Sequence, residues 1–345
     1  MKHYQIAVLP GEGVGLEVVE AALTILQQIA QQFGFTASID RGLIGEPAKQ
    51  KYGDYFPEET AQLCEGKDGI LFGAVTQGGL LELRKRFDFF ANLRPVRPSV
   101  YLHDRSPLKP EKLNGVNLLF VRELVSGIYF GASGRGIGER GPHGYHTMLY
   151  YDAEIRRVAR VALQQAQNRR RHLTIAHKEN ALPQLPWTRL VQTEAEAFPD
   201  VTVEPMLVDT LAMQIVMNPQ QFDVILAGNL FGDILSDLGA VLTGSIGTLG
   251  SASLNADGFG LYEPIHGTAP DLAGKGIANP MGAIASVELM LRQWGEIEAA
   301  NCLTQTQEKL LSQGYRTADL MMRSEDRLVN TQEFVDLLIE MMVRD

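Results

Sequence analysis

Apolar and polar positions along the chain follow two different periods. Short apolar runs, typical of buried strands, occur at 5–9, 35–40, 69–72, 116–121, 173–176, 201–207 and 223–226. Between them, apolar residues recur about every 3.6 positions, which predicts helices at 16–33 and 152–168. The last 65 residues show mostly the helical pattern and end in a predicted helix at 331–343. This alternation predicts an α/β protein.

Two glycine-rich segments, 127–144 and 244–260, interrupt the alternation. Both are longer than ordinary connections, so we expect functional loops or an arm. The irregular stretch 131–146 is either an arm that reaches a second subunit or a mobile surface loop, and its sequence does not distinguish the two.

Composition excludes several classes of protein. The 345 residues are 45% hydrophobic and 21% charged, enough for two domains with a large core. Acidic residues outnumber basic ones by 41 to 31, which argues against a nucleic-acid partner, and the basic cluster at 169–171 is predicted to be a solvated helix end. No apolar run approaches the roughly 18 residues of a membrane span, and the run at 6–9 is too short for a secretory signal. With only Cys64 and Cys302, these features predict a cytoplasmic protein with no membrane partner.

The turn at 11–15, with sequence GEGVG, lies between a predicted strand and a predicted helix. It is not a dinucleotide fingerprint, because Leu16 breaks the G-x-G-x-x-G spacing and no acidic residue follows at the expected place about 20 positions on. We expect a close approach of the backbone to another group, or a tight strand–helix turn.

The segment 228–237, GNLFGDILSD, places Asp233 and Asp237 on one face of a helix. Two like charges among apolar neighbours need a compensating cation, and a hard divalent ion with oxygen ligands suits them. Asp209, at the end of a predicted strand, is a candidate third ligand. The alternative is a solvated helix face.

Three arginines, Arg84, Arg94 and Arg122, lie close to aromatic and glycine-rich turns. Arginine binds carboxylates through paired hydrogen bonds, so three that converge would indicate a polyanionic substrate. The alternative is surface ion pairs.

The segment 263–280 is polar and rich in glycine. It is not a P-loop, because no Ser or Thr follows Gly274 and Lys275, and it does not have zinc-ligand spacing. Such a loop could hold adenine and ribose by backbone contacts. His143 and His146 lack a third ligand, so we do not expect a metal there.

Four segments, YEPIHGTAPDLAGKGIANP, GNLFGDILSD, FANLRP and VREL with GIYFG, together resemble the β-decarboxylating dehydrogenases. This family comprises the isocitrate, 3-isopropylmalate, homoisocitrate and tartrate enzymes, and the resemblance extends from Ile6 to the C-terminus, nearest to the isopropylmalate branch. It implies a two-domain α/β fold distinct from the Rossmann fold. A discontinuous first domain, 1–90 plus 245–345, would carry most of the NAD site. The second, 91–244, would carry the metal site, a homodimer interface and an intersubunit arm at about 127–151.

The resemblance also implies roles for residues at matching positions. Substrate contacts would come from Leu80, Arg84, Arg94, Arg122 and Ala181. Mg²⁺ or Mn²⁺ would be held by Asp233 and Asp237 with Asp209 from a second subunit. Asp209, Lys178 and Tyr129 would be catalytic. Lys178, also from the second subunit, would manage the hydroxyl proton, and Tyr129 would protonate the enol. NAD contacts would come from Val14, Glu263, His266, Gly267, Thr268, Ala269, Asp271 and Asn279. Because its charge repels a 2′-phosphate, Asp271 would favour NAD over NADP.

The implied reaction is oxidative decarboxylation of a 3-substituted malate, with isopropylmalate of leucine biosynthesis as the first expectation. Departures from the family pattern lie at 11–17, in a shortened 73–80 segment, and at Ala181, where valine is common. A small residue at 181 opposite Gly78 and Gly79 would enlarge the pocket, so a benzyl or methylthioalkyl substituent is the alternative. Leu80 and Leu81 keep this subsite apolar, which argues against isocitrate or homoisocitrate. A tartrate- or homoisocitrate-type substrate, a silent paralogue and a phosphate-transferring enzyme are the less favoured alternatives.

Overall fold

The computed structural model describes residues 2–344, with side chains up to 343. The strands, in chain order, are β1 His3–Gly11, β2 Thr36–Arg41, β3 Gly69–Ala74, β4 Ala91–Val96, β5 Leu118–Glu123, β6 Ser133–Gly138, β7 Gly141–His146, β8 His172–His177, β9 Thr202–Leu207, β10 Val224–Ala227, β11 Gly250–Leu254, β12 Gly260–Pro264, β13 Tyr315–Arg316 and β14 Arg327–Leu328. The α-helices are α1 Gly15–Phe33, α2 Glu46–Tyr52, α3 Glu58–Cys64, α4 Leu80–Arg86, α5 Pro110–Leu113, α6 Asp152–Gln167, α7 Trp187–Ala195, α8 Val208–Met217, α9 Asn229–Ala240, α10 Met281–Gln293, α11 Ile297–Ser312 and α12 Thr331–Arg344. Short 3₁₀ helices include Val100–Leu102 and Gly127–Tyr129.

The chain divides into two compact units, and the first is discontinuous. It contains the described residues up to Asp88, Arg97–Pro110 and the described residues from Ala240 onward. Its strands are ordered β2-β1-β3-β12-β11, parallel except for the antiparallel pair β11 and β12. Helices α1, α10, α11 and α12 pack together beside this sheet and bury its apolar strands.

The second unit contains Phe89–Val96 and Glu111–Gly239. Its strands are ordered β4-β5-β10-β8-β9, parallel except for the antiparallel pair β4 and β5. Because β5 and β10 run parallel, Arg122 near the end of β5 stands level with Ala227 at the end of β10. Only Gly228 separates β10 from α9, so the register brings the start of α9 beside Arg122.

The periodic segments form the predicted elements. The helix predicted at 16–33 is α1, whose apolar stripe, including Val18, Ile25 and Ile29, is completely buried. It ends at Gly34, which has a φ of 74° and donates its N–H to the carbonyl of Ala30, as a left-handed C-terminal residue does. Each of the seven predicted strands overlaps an observed one. The α/β class is confirmed.

The glycine-rich segments contain more regular structure than their sequences indicated. Residues 131–146, expected to be irregular, form an antiparallel hairpin of β6 and β7. Residues 244–260 contain β11 and lead into β12, both almost fully buried. Strand β4 was also missed, because Arg94 and Pro95 interrupt its apolar pattern.

Other observations bear on the class of protein. Within residues 2–344, no helix is both long and apolar enough to cross a membrane. Cys64 and Cys302 are free thiols. The basic cluster at 169–171 is not simply a solvated helix end, because Arg169 donates to the buried Asp223 at 2.9 Å.

Candidate active site

Two arginines face two aspartates in the second unit. Arg94 of β4 and Arg122 of β5 are 8% and 4% exposed, whereas Asp233 and Asp237 lie one turn apart on a more open face of α9. Arg94 donates to Asp237 at 3.0 Å and lies 3.7 Å from Asp233. Arg122 is hydrogen-bonded to Asp233. Since Arg94 and Arg122 come from antiparallel neighbours, the β4–β5 pairing brings both to one helix.

This arrangement explains how α9 can carry the two negative charges of Asp233 and Asp237. The sequence predicted that a divalent cation would compensate Asp233 and Asp237, but Arg94 and Arg122 already do so. Burial raises the pKa of Asp237 above its usual value, while the Arg94 guanidinium acts in the opposite direction. The two charge pairs sum to zero. A ligand or set of ligands with no net charge would preserve that neutrality, whereas a charged ligand alone would not.

Two residues of α9 that motif analysis left unassigned shape this cluster. Ser236 accepts a hydrogen bond from Arg94 at 2.9 Å and is completely buried. Gly232 faces the stem of Arg122, because a Cβ at this position would lie 2.7 Å from the Arg122 Cγ atom. Only a residue without a side chain therefore lets α9 pack this closely on Arg122.

Tyr129 joins the same cluster from the 3₁₀ helix Gly127–Tyr129. Its hydroxyl donates to Asp233 at 3.1 Å, and the Arg122 guanidinium lies 5.9 Å from its ring centroid. Burial raises the pKa of Tyr129, and the Asp233 carboxylate raises it further. The phenol therefore keeps its proton at neutral pH, although the residue is 42% exposed.

Lys178 and Asp209 form a separate pair in this unit. Lys178 Nζ donates to Asp209 at 2.7 Å, and this bond lowers the pKa of the aspartate. Among the described residues, no three His, Cys, Asp or Glu side chains meet as a metal site. Asp209 is thus not brought to Asp233 and Asp237 within one chain.

In the first unit, the turn at 11–15 packs against the loop that follows β12. The N–H of Val14 donates to the Thr268 carbonyl at 2.9 Å, and a Cβ on Gly13 would lie 2.0 Å from that carbonyl oxygen. Of the two expectations for this turn, close backbone approach is correct, and the group approached is the Thr268 peptide. Thr76 adds a hydroxyl contact to Thr268 at 3.2 Å.

The predicted cofactor residues lie together along this loop. His266 Nδ1 lies 2.9 Å from the Gly267 carbonyl, while its buried Nε2 has no partner among the described residues. Burial lowers the pKa of His266, so the ring is neutral at pH 7. Ala269 has a φ of 38°, and Gly267 and Asp271 are exposed. Exposed backbone beside one unpaired buried nitrogen is a suitable surface for a nucleotide.

Both ends of the loop are anchored. At its start, Thr268 is held as described above. At its end, Glu17 of α1 accepts the N–H groups of Gly276 and Ala278 at 3.2 and 2.8 Å. Asn279 donates to Asp319 at 3.1 Å. Sequence reasoning missed Glu17 and Asp319: Glu17 ends the segment 11–17 but received no role, and Asp319 belongs to no motif.

Two other predicted site residues in this unit form a buried ion pair with each other. Arg84 of α4 donates to Glu263 of β12 at 2.7 Å, and both side chains are 7% exposed. The Arg84 Nε atom is buried and has no partner among the described residues. This unused donor suits a further anionic group.

The glycines before α4 do not create the open space that the sequence suggested. A Cβ on Gly78 would lie 2.5 Å from the Tyr55 ring, and one on Gly79 would lie 2.8 Å from Ile44. Tyr55 and Ile44 fill the space next to them. Leu80 is partly buried at the start of α4, and Ala181 is exposed in a turn of the second unit.

Comparison with known proteins finds relatives that match nearly the whole chain. The family model described as isocitrate/isopropylmalate dehydrogenase matches residues 5–338. The chain is 46% identical to 3-isopropylmalate dehydrogenase from Halalkalibacterium halodurans over 353 aligned positions, with 97% of each chain covered. It is 44% identical to the enzyme of that name from Aquifex aeolicus, covering 100% of this chain and 98% of the other. The crystal structure of isocitrate dehydrogenase from Methylococcus capsulatus matches with a TM-score of 0.87 at 29% identity, covering 98% of this chain and 99% of the other.

The fold and the comparisons define a decarboxylating dehydrogenase with an α/β fold distinct from the Rossmann fold. The chain belongs to the isocitrate/isopropylmalate dehydrogenase family.

Proposed function

We propose that this protein catalyses the NAD-dependent, divalent-metal-dependent oxidative decarboxylation of 3-isopropylmalate, a step of leucine biosynthesis. The observation that carries the proposal is the cluster of Arg94 and Arg122 beside Asp233 and Asp237. Two buried guanidinium groups can each bind a carboxylate through paired hydrogen bonds. The relatives named 3-isopropylmalate dehydrogenase, at 46% and 44% identity, support this choice of substrate.

The groups implied by the reaction suit the residues present. Asp233 and Asp237 offer oxygen ligands, as Mg²⁺ and Mn²⁺ prefer. The loop carrying His266 and Gly267 offers exposed backbone for a nucleotide, and we assign most of the NAD site to this loop and to the turn at Val14. When bound, the metal would polarise the substrate oxygen and NAD would accept the hydride.

The chain's own side chains would bind substrate and move protons. Arg94 and Arg122 would hold the malate carboxylates. The Nζ atom of Lys178, oriented by Asp209, would manage the proton of the C2 hydroxyl. The Tyr129 hydroxyl, which its environment keeps protonated, would protonate the enol carbon after carbon dioxide leaves.

We further propose a homodimer in which each active site takes residues from both subunits. Asp209 and Lys178 form their own pair away from the metal carboxylates of the same chain, so a second chain would have to supply them. The β6–β7 hairpin, with Ile137 86% exposed and Tyr145 52% exposed, offers the apolar surface of an intersubunit arm.

Co-expression tests the shared site. Asp209→Asn and Asp233→Asn homodimers should each be inactive. Random pairing makes about half of the dimers hybrid, each with one intact site, so about a quarter of wild-type activity should return. A monomer in analytical ultracentrifugation, or no recovered activity, would contradict the dimer.

The cofactor preference rests on Asp271. Its carboxylate would accept hydrogen bonds from the adenosine ribose and repel a 2′-phosphate. We therefore expect NAD⁺ to be used much more efficiently than NADP⁺, and equal kcat/KM for the two would refute the assignment.

The decisive experiment is NADH formation from NAD⁺ and Mg²⁺ with malates bearing isopropyl, benzyl, methylthioalkyl, carboxymethyl or hydroxyl groups, each repeated with a chelator. Chelator-sensitive turnover that is highest with isopropylmalate is expected. The bulkier apolar substituents remain the second candidate, now supported by the small, exposed Ala181 alone, because Gly78 and Gly79 face filled space. No NADH from any of them would refute the proposal.

A further inference from the structure

The guanidinium of Arg122 is held along one edge by an asparagine to which the sequence motifs assign no role. Arg122 Nε and Nη2 both donate to Asn229 Oδ1, at 3.1 and 2.7 Å. Asn229 is 1% exposed and Arg122 4% exposed, so this contact is shielded from bulk water. The Nη1 atom on the opposite side is directed to Asp233.

The Asn229 amide can adopt only one orientation. Its Nδ2 donates to the Ser126 carbonyl at 3.0 Å, and its backbone N–H donates to the Tyr150 hydroxyl at 2.8 Å. Turning the amide over would set its NH₂ group against the N–H groups of Arg122 and leave the Ser126 carbonyl facing an oxygen. Both polar groups of the Asn229 side chain therefore favour the orientation in which Oδ1 accepts from Arg122.

The turn that supplies the Ser126 carbonyl is itself fixed by a buried carboxylate. Glu123 accepts the N–H groups of Val125 and Ser126, each at 3.0 Å, and is completely buried. Glu123 directly follows Arg122 in the chain, so β5 presents Arg122 to the site and Glu123 to the turn. A continuous path of hydrogen bonds thus leads from Glu123 through Ser126 and Asn229 to Arg122.

We propose that Asn229 is a positioning residue that sets the plane of the Arg122 guanidinium for the substrate carboxylate, with Glu123 holding the turn that orients Asn229. The proposal rests on the function proposed above for Arg122. Arginine recognises a carboxylate through a planar, paired geometry, so a rotated guanidinium loses much of its binding even when it stays nearby.

A comparable arrangement serves the second arginine. Arg94 Nε donates to Asn92 Oδ1 at 2.8 Å, and Asn92 is completely buried. In the β4–β5 register Asn92 stands opposite Arg122. Each arginine of the cluster therefore has its own asparagine, which provides an internal control.

The test is a pair of double-mutant cycles in the full-length enzyme. Asn229→Ala should raise KM for 3-isopropylmalate about ten- to a hundredfold, as expected for hydrogen bonds lost from a charged group, with a smaller change in kcat and an unchanged KM for NAD⁺. In an Arg122→Lys background the same substitution should add no more than about twofold. In an Arg94→Lys background the full effect should remain. Equal effects in both backgrounds, or a rise in KM for NAD⁺, would indicate a merely structural role and overturn the proposal.

A second measurement does not depend on turnover. The Arg122 Nε–H signal, assigned by its disappearance in Arg122→Lys, should exchange slowly in ¹⁵N NMR spectra of the wild type. It should be lost or exchange rapidly in Asn229→Ala and persist in Asn229→Asp, which keeps the acceptor. A signal unchanged by Asn229→Ala would refute the positioning role. A wild type that forms no NADH would instead refute the proposed function, and the NMR result would still decide whether Asn229 fixes Arg122.

Discussion

Gly13→Ala should separate strain in the backbone from disturbance of the proposed cofactor loop. Gly13 has a φ of 60°, and a Cβ there would lie 2.0 Å from the carbonyl oxygen of Thr268. An ordinary contact requires more than 3 Å, so the Thr268 peptide would have to retreat by about 1 Å. The same peptide accepts the N–H of Val14, and that hydrogen bond would lengthen with it.

The cost has two parts, and the chain offers a control for one of them. Placing an alanine in the left-handed region costs about 1–2 kcal/mol, and overpacking adds about 1–3 kcal/mol. Gly34, at the other end of α1, has a φ of 74° but no atom within 4 Å of a built Cβ. Gly34→Ala should therefore show the first cost alone, and Gly13→Ala should be about 1–3 kcal/mol less stable than Gly34→Ala.

The assay is urea denaturation of both variants, combined with steady-state kinetics. A displacement of about 1 Å at a binding loop can cost about a hundredfold, so KM for NAD⁺ should rise strongly in Gly13→Ala. KM for the malate should change little, and Gly34→Ala should have wild-type kinetics. Equal stability losses in the two variants, with an unchanged KM for NAD⁺, would refute the role given to this turn.

Three other perturbations have defined outcomes. Glu263→Gln should lower the free energy of unfolding, measured in urea, by about 3–5 kcal/mol, because it leaves the buried charge of Arg84 unpaired. Arg84→Met combined with Glu263→Leu should lower it far less. Equal losses in the two variants would contradict this. Burial raises the pKa of Glu123 from 4.5 to about 7, against the effect of its backbone hydrogen bonds. Between these values the folded state binds more protons than the unfolded state. Wild-type stability should therefore fall by about 2 kcal/mol relative to Glu123→Gln as pH rises from about 5 to about 7, and parallel pH curves would refute the burial argument. Ala181→Val should shift kcat/KM by about tenfold toward isopropylmalate over benzylmalate, and unchanged selectivity would remove position 181 from the pocket.

The local elements of the fold could be predicted because their burial is one-sided or complete. Helix α1 has a continuous apolar stripe, and the parallel strands are short apolar runs. Strands β11 and β12, with sequences GSASL and GLYEP, are buried but contain no continuous apolar run, because glycine, serine and other polar residues interrupt it. The apolar pattern therefore did not predict them. The sequence pattern does not predict that Arg97–Pro110 belongs to the first unit, because this assignment depends on long-range contacts.

The candidate site could be predicted residue by residue but not as an arrangement. The spacing of Asp233 and Asp237 indicated one helix face, and they share one. Their compensation by Arg94 and Arg122 depends on the pairing of β4 with β5, which the sequence did not indicate. For the same reason, the sequence did not indicate that Asn229 contacts Arg122. A buried asparagine is recognisable only when the groups that it satisfies are known.

The anchoring of the loop between Thr268 and Ala278 has a consequence for how this enzyme can change. Val14, just before α1, holds the loop at one end, and Glu17, in the first turn of α1, holds it at the other. The stretch between the anchors, including Asp271, is largely exposed and contributes little to the core. Substitutions of its exposed residues other than glycine, Asp271 among them, should alter stability by about 0.5 kcal/mol or less. Selection could therefore exchange one nucleotide preference for another by replacing surface residues alone, without the folding penalty that usually limits such transitions.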